Sequence, residues 1–158
     1  MMKKLGCILA VFTVLTASAA QAQTVNLSLV APGSSGILFV NGGAEFKLGE
    51  PNTVGELGLS IVSGGGEALF GLEAGAKYVF ARNTSREGPF AGGRVTAHFG
   101  NGYSLIGLEG LGGYRFKLDP KLSLEVEGGL TTFLASVLGY SGNSSLLFTL
   151  GVGVSFLL

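Results

Sequence analysis

The sequence predicts an all-β fold, an up-and-down antiparallel β-barrel of about eight strands, preceded by a cleaved signal peptide. Three observations predict it. The first residues have the charge and hydropathy of an export signal, the rest of the chain alternates between apolar residues and small or polar ones, and turn-forming residues interrupt this alternation at short intervals. Alternation with a period of two residues is typical of a β-strand whose two faces meet different surroundings.

Residues 1–22 account for the export signal. Lys3 and Lys4 form a short basic start, Leu5–Thr16 form an apolar stretch, and Ala20–Ala22 match an A-x-A cleavage site. The alternative is a transmembrane anchor, but the apolar stretch is shorter than the roughly 20 residues that a helical span needs. We therefore expect cleavage after the A-x-A site and export of the remainder of the chain.

The segment 23–158 is expected to be a single barrel domain. The chain has 158 residues, is 47% hydrophobic and 13% charged, and contains 28 glycines, whereas about 25% of the residues of a typical domain are charged. This composition is too apolar for a disordered chain and too rich in glycine for a helical bundle. No basic cluster is present, so nucleic acid is not an expected partner. The single cysteine, Cys7, lies in the leader, which excludes disulfides and thiol chemistry from the exported chain.

Eight alternating runs follow the leader, and each predicts one strand. The runs are Thr24–Val30, Ile37–Leu48, Thr53–Val62, Ala68–Phe80, Phe90–Phe99, Tyr103–Phe116, Leu122–Phe133 and Leu146–Leu158. The last run is the clearest, because its phenylalanines, leucines and valines share one phase while threonine, serine and glycine share the other. The breaks between the runs are rich in Gly, Pro, Asn, Asp and Ser, the residues that favour turns.

The charged residues of these runs all fall on the phase opposite to the apolar one. They are Glu45, Lys47, Glu56, Glu73, Lys77, Arg94, Glu109, Arg115, Glu125 and Glu127. Two kinds of barrel have this pattern. A soluble barrel buries its apolar face and shows its charges to water, whereas a membrane barrel turns its apolar face to lipid and keeps its charges inside.

Aromatic residues favour the membrane barrel. If the chain starts on the periplasmic side, the even-numbered strands end at one level with aromatics on the apolar face. These residues are Phe46, Tyr78, Phe80, Tyr114, Phe116 and Phe156. Phe70, Phe99 and Phe148 fall at the opposite level, and two aromatic bands are the girdles expected at the two membrane interfaces. The sequence therefore predicts a transmembrane barrel in the outer membrane. The alternative is a soluble sandwich or lipocalin-like barrel that is exported and binds an apolar ligand.

The leader, the eight runs and the closing segment Phe148–Leu158 resemble the small eight-stranded outer-membrane barrels of the OmpA/OmpX type. The resemblance implies an integral membrane protein whose partners are membrane lipid and the barrel-insertion machinery. That machinery recognises a closing strand that usually ends on an aromatic residue. Here the chain ends on Leu158, and Phe156 lies two residues before it.

The charged interior has two interpretations. It predicts either a gated ion path or a salt-bridged plug, and the plug is favoured because an eight-stranded barrel is only wide enough for its own side chains. The protein is expected to be non-enzymatic, without a cofactor or metal, and to have a structural role or to bind partners through its outer loops. Those loops are expected at Ala31–Gly36, Ser63–Glu67, Gly100–Gly102 and Leu134–Ser145.

His98 supports one alternative function. The segment around it weakly resembles the lipid A deacylase barrels, in which a His-x-Ser motif and a distant Glu hydrolyse an acyl chain. Here Gly100 stands at the position of the nucleophile, and His98 falls on the inward phase rather than facing lipid. A histidine without a serine partner is expected to be structural.

Overall fold

The computed structural model describes residues 23–32, 38–64, 67–81, 86–100, 103–134 and 146–158. The predicted signal peptide lies outside the described residues, and so does part of each predicted outer loop. The eight strands are β1 (Thr24–Pro32), β2 (Leu38–Lys47), β3 (Thr53–Gly64), β4 (Glu67–Val79), β5 (Gly88–Gly100), β6 (Tyr103–Lys117), β7 (Leu122–Leu134) and β8 (Leu146–Leu157).

Each strand pairs antiparallel with the next, and β1 also pairs with β8, so the sheet is a closed barrel. The closing register places Val25 opposite Phe156 and Leu29 opposite Val152. Closure leaves no sheet edge with unpaired backbone N–H and C=O groups, which a strand could not carry into lipid. The predicted up-and-down barrel of eight strands is confirmed. Within the described residues, no α-helix with the length and apolarity of a membrane span is present.

The strand boundaries differ from the predicted runs by a few residues. The strand β5 begins at Gly88 rather than at Phe90, because Gly88 pairs with Arg115 and Pro89 pairs with Tyr114. The strand β4 ends at Val79, one residue before Phe80. Glycine and proline carry no information about phase, so alternation alone does not detect their pairing.

The two short turns of the described chain lie at one end of the barrel, which we call the turn end. In the first, Gly49 has a φ of +66°, a conformation that favours glycine. In the second, a carboxylate oxygen of Asp119 accepts hydrogen bonds from the backbone N–H groups of Lys121 (2.6 Å) and Leu122 (2.8 Å). The first and last described residues meet at this end too, where Leu158 N–H donates to the carbonyl of Gln23. The opposite end is called the loop end.

The barrel has an apolar outside and a polar inside. Large apolar side chains face outward, and those of Leu59 and Phe70 are 51% and 65% exposed. Charged side chains lie inside, and Glu45 is 0% exposed. This arrangement is the reverse of a soluble protein, in which apolar side chains are buried and charges are almost never buried unless paired. The apolar phase of the strands therefore faces outward and the charged phase faces the lumen, as expected of a membrane barrel.

Candidate functional site: the charged lumen

Lys77 forms the centre of a group of ion pairs in the half of the lumen nearer the turn end. Its Nζ lies 2.6 Å from Glu45 Oε1, 2.6 Å from Glu56 Oε1 and 2.9 Å from Glu125 Oε2. Glu45 and Glu56 are directly opposite each other on β2 and β3, a placement of like charges that repels. A shared ammonium group between them offsets that repulsion. The side chain of Lys77 is 2% exposed, so these contacts are made away from bulk water.

Arg115 completes this group from the other side of the barrel. Its Nη2 lies 2.6 Å from Glu45 Oε1 and 2.6 Å from Glu125 Oε1. Arg115 and Glu125 are cross-strand neighbours on β6 and β7. Ser155 on β8 also donates a hydrogen bond of 2.7 Å to Glu125. Glu125 therefore accepts contacts from an ammonium, a guanidinium and a hydroxyl group, which together compensate for its burial.

Arg94 forms the centre of a second group, nearer the loop end. Its guanidinium nitrogens lie 3.4 Å from Glu109, 3.6 Å from Glu56 and 3.7 Å from Glu127. Glycine makes the contact with Glu56 possible, because Gly75 is paired with both residues and lies between them on β4. Thr149 on β8 donates a hydrogen bond of 2.9 Å to Glu109. The two groups share Glu56 and form one network through the lumen.

The structure buries eight of the ten charged residues that the sequence placed inside. They are Glu45, Glu56, Glu73, Lys77, Arg94, Arg115, Glu125 and Glu127. Glu109 is half-buried, and Lys47 is exposed. The expectation for Lys47 was wrong in this respect: the residue has the inward phase, but it is the last residue of β2 and lies at the mouth of the barrel, outside the ion-pair network.

The predicted aromatic band surrounds the turn end. Tyr78, Phe80, Tyr114, Phe116 and Phe156 are each 39–54% exposed. Neighbours in the band are in contact, since the ring centroids of Tyr78 and Phe80 are 5.0 Å apart and those of Tyr114 and Phe116 are 4.5 Å apart.

Phe46 belongs to the same band but is half-buried rather than exposed, because its ring lies against the backbone of Gly55, directly opposite on β3. Phe70, Phe99 and Phe148 are exposed nearer the loop end, at 65%, 52% and 53%. Phe70 and Phe99 are directly opposite each other on β4 and β5. The described barrel therefore has exposed aromatic side chains near both ends.

The lumen also holds an apolar cluster that the sequence analysis missed. Val54, Val79, Phe90 and Leu111 are 0–7% exposed and pack together. Lys77 lies over the Phe90 ring, 5.2 Å from its centroid, a distance at which an ammonium group is attracted to an aromatic face. These residues share the phase of the charges, so following that phase along the whole of each strand would have found them.

His98 has a serine partner, contrary to expectation. Its Nε2 lies 3.0 Å from the Oγ of Ser60, and the two side chains are 1% and 2% exposed. Gly71 pairs with both residues and lies between them on β4. A Cβ at Gly71 would be only 2.4 Å from His98 and 2.5 Å from Ser60, so the absence of a side chain there lets the two meet. Local sequence patterns do not reveal this pair, because the two residues are 38 positions apart.

The lumen leaves little free space along its length. The space beside Ser60, His98 and Arg94 has a volume of about 20 Å³. The space beside Lys77 and Glu127 has a volume of about 10 Å³. A cavity of about 10–15 Å³ is the smallest that holds one water molecule, so neither space admits a substrate. The described lumen is packed with its own side chains.

A scan against models of known protein families found no match, and a search of curated proteins found none. Among solved structures, the crystal structure of Neisserial surface protein A (NspA) is similar. The two chains are 13% identical, the match covers 85% of this chain and 94% of NspA, and the TM-score is 0.58. The match shows a shared fold, which in this chain is the closed eight-stranded antiparallel barrel.

Proposed function

We propose that this protein is a non-enzymatic integral outer-membrane barrel, exported by its signal peptide, with a structural role or a binding role carried by its outer loops. Membrane lipid is its immediate partner, and the barrel-insertion machinery recognises its closing strand. The turn end faces the periplasm and the loop end faces outward. This orientation turns the longest connection, between β7 (ending at Leu134) and β8 (beginning at Leu146), outward, and the longer loops of outer-membrane barrels face outward.

The proposed membrane location rests on one observation, which is the contrast between the two faces of the sheet. A continuous belt of Leu, Val, Ile, Phe and Tyr side chains is exposed, whereas eight charged side chains are buried. In water the exposed belt would cost about 25 cal/mol for each Å² of apolar surface. In lipid that cost disappears, and closure of the barrel satisfies the backbone hydrogen bonds.

The packed lumen supports a plug rather than a gated ion path. Arg115 on β6 and Glu45 on β2 are in direct contact across the lumen, and the spaces beside Ser60 and beside Lys77 have the size of single water molecules. An ion on this route would have to displace paired charges, and separating a buried pair costs several kcal/mol.

A lipid-modifying hydrolase is the alternative function, and the Ser60–His98 hydrogen bond is the observation that bears on it. A serine bonded to a histidine is the arrangement of an activated nucleophile. Here the pair faces the lumen beside a space of about 20 Å³, whereas an acyl chain would arrive from the lipid side. We therefore assign the pair a structural role, in which Ser60 Oγ and His98 Nε2 are hydrogen-bond partners of each other.

Cell fractionation followed by gel electrophoresis of unboiled and boiled membrane samples tests the location and the barrel together. We expect recovery with the outer membrane and a faster-running unboiled band, because a closed barrel stays folded and compact in detergent until it is heated. Recovery in the periplasmic fluid, with no shift on boiling, would contradict the proposal and favour the soluble barrel with an apolar ligand.

Planar-bilayer recording with the purified protein tests the plug. We expect no steady single-channel conductance. A stable conductance step would instead support the gated ion path.

A further inference from the structure

A cavity of about 470 Å³ opens at the turn end of the barrel. This volume lies within the range of roughly 300–1,000 Å³ that is typical of sites for small ligands, and it far exceeds the spaces deeper in the lumen. Residues from both ends of the described chain and from the β6–β7 turn line it. The ion-pair network closes it from below, since Arg115 belongs to both.

Five cationic side chains line this cavity. They are Lys47, Arg86, Arg115, Lys117 and Lys121. Among the described residues, none contributes a carboxylate side chain to its lining. Glu45 and Glu125 neutralise Arg115 from inside the lumen. Lys47, Lys117 and Lys121 are exposed and form no ion pair with any other part of the chain that the structure describes.

Two arginine nitrogens in the wall of this cavity lack acceptors. Among the described residues, Arg86 Nη1 and Arg115 Nε are buried and have no hydrogen-bond partner. Arg86 is held in place through its other terminal nitrogen, which donates to the side-chain carbonyl of Gln23. Buried donors are normally paired, and a donor left without an acceptor destabilises the fold. Both arginines line the cavity, so an acceptor-rich group bound there would lie beside both guanidinium groups.

We propose that the turn-end cavity is a binding site for a phosphate group. A phosphate carries close to two negative charges and several strong acceptor oxygens, which match the excess of cations and the unpaired guanidinium donors. Arginine and lysine are the side chains that proteins use for phosphate, arginine through directed N–H groups and lysine as a point charge.

The phosphate group has two possible sources at this position. The aromatic band encircles the same end of the barrel, so lipid headgroups would lie beside the cavity in a membrane. The cavity also opens away from the lumen, where free phosphate could enter. Both sources present the same chemistry to the cations, and a direct comparison separates them.

The experiment is an NMR titration of the full barrel in octyl glucoside micelles, at constant ionic strength maintained with chloride. One arm adds inorganic phosphate, and the other adds dihexanoyl phosphatidic acid, a short-chain lipid with a phosphate monoester headgroup. We expect saturable shifts of the backbone amides of Lys121 and Ser123 with at least one probe. Tighter binding of phosphatidic acid assigns the site to a lipid headgroup, and equal or tighter binding of inorganic phosphate assigns it to free phosphate.

A triple variant, Lys47→Gln, Lys117→Gln and Lys121→Gln, tests the cations. We expect it to bind at least about tenfold more weakly, since each charge-assisted contact contributes on the order of a factor of ten or more. The matched control replaces the same lysines by arginine, which keeps the charge and the binding. The three lysines are exposed, and the heat-dependent gel shift verifies that both variants are folded.

Absence of saturable binding to the wild-type barrel would overturn this proposal, and so would equal affinity of the glutamine and arginine variants. The outcome is independent of the proposed membrane role, which the fractionation experiment tests separately. A barrel found in the outer membrane without phosphate binding would contradict the binding site alone.

Discussion

Arg115 and Glu45 are in contact across the full width of the barrel. The two residues lie on β6 and β2, which are four strands apart in a ring of eight and therefore on opposite walls. Arg115 Nη2 nonetheless lies 2.6 Å from Glu45 Oε1, and the two side chains are 3% and 0% exposed. This ion pair thus spans the lumen and links two walls whose strands share no backbone hydrogen bond.

Replacing Arg115 by methionine should lower the free energy of unfolding by about 3–5 kcal/mol. The variant leaves Glu45 and Glu125 with one cation, Lys77, and an uncompensated buried carboxylate carries a penalty of that size. Urea unfolding in phospholipid vesicles, followed by the heat-dependent gel shift, measures the change. Lys117→Met is the matched control, because Lys117 is exposed on the same strand and should change stability by less than about 0.5 kcal/mol. Equal stabilities of the two variants would show that the ion pair across the lumen contributes nothing.

A charge on the outer face should be costly in the middle of a strand and tolerated near the turn end. Leu59 is exposed near the centre of β3, whereas Leu118 is exposed in the β6–β7 turn. In lipid vesicles, Leu59→Arg should destabilise the barrel by about 2–4 kcal/mol and Leu118→Arg by about 0–1 kcal/mol, because the cost of a charge falls from the bilayer midplane to the interface. The same urea titration measures both variants. A harmless Leu59→Arg would mean that the apolar belt does not face lipid.

Substitution by alanine should have opposite effects on stability at two glycines of β6. A Cβ at Gly113 would lie 2.2 Å from the carbonyl oxygen of Val126 and 2.7 Å from the Phe90 ring, whereas a Cβ at Gly110 would meet nothing within 4 Å. We expect Gly113→Ala to destabilise the barrel by about 1–3 kcal/mol through overpacking. Gly110→Ala should be neutral, or stabilising by up to about 1 kcal/mol, since alanine restricts the unfolded chain. Urea unfolding compares the two variants through their midpoints, provided that their m-values are equal. An equal loss of stability in both variants would argue against a packed lumen.

The Ser60–His98 pair should contribute to stability. Ser60→Ala leaves a buried imidazole nitrogen without its partner, which costs about 1–3 kcal/mol. Ser63→Ala on the same strand is the control, because Ser63 is exposed and its loss should change stability by less than about 0.5 kcal/mol. Urea unfolding gives the comparison. An acyl hydrolase activity on lipid A that disappears in Ser60→Ala would instead favour the enzyme.

The barrel could be predicted because its cause is local. Each strand has one apolar and one polar phase along its own sequence, as in Phe148, Leu150 and Val152 of β8, and a period of two residues needs no knowledge of partners. The same phase also predicts that most of the charged residues face the lumen. The phase does not show where a strand ends, and for this reason it placed Lys47 within the network although that residue lies at the mouth.

The sequence by itself determined the class of fold, the number of strands and which residues share the polar face. Only the tertiary structure decided which charges meet: Lys77 pairs with Glu125, 48 positions away, and Arg115 pairs with Glu45, 70 positions away. The physical reason is that these contacts depend on closure of the barrel, on the register between strands and on glycines that let side chains pass. The Ser60–His98 bond across Gly71 has the same origin. Local periodicity carries none of this information, because one strand does not specify the residues opposite it on another.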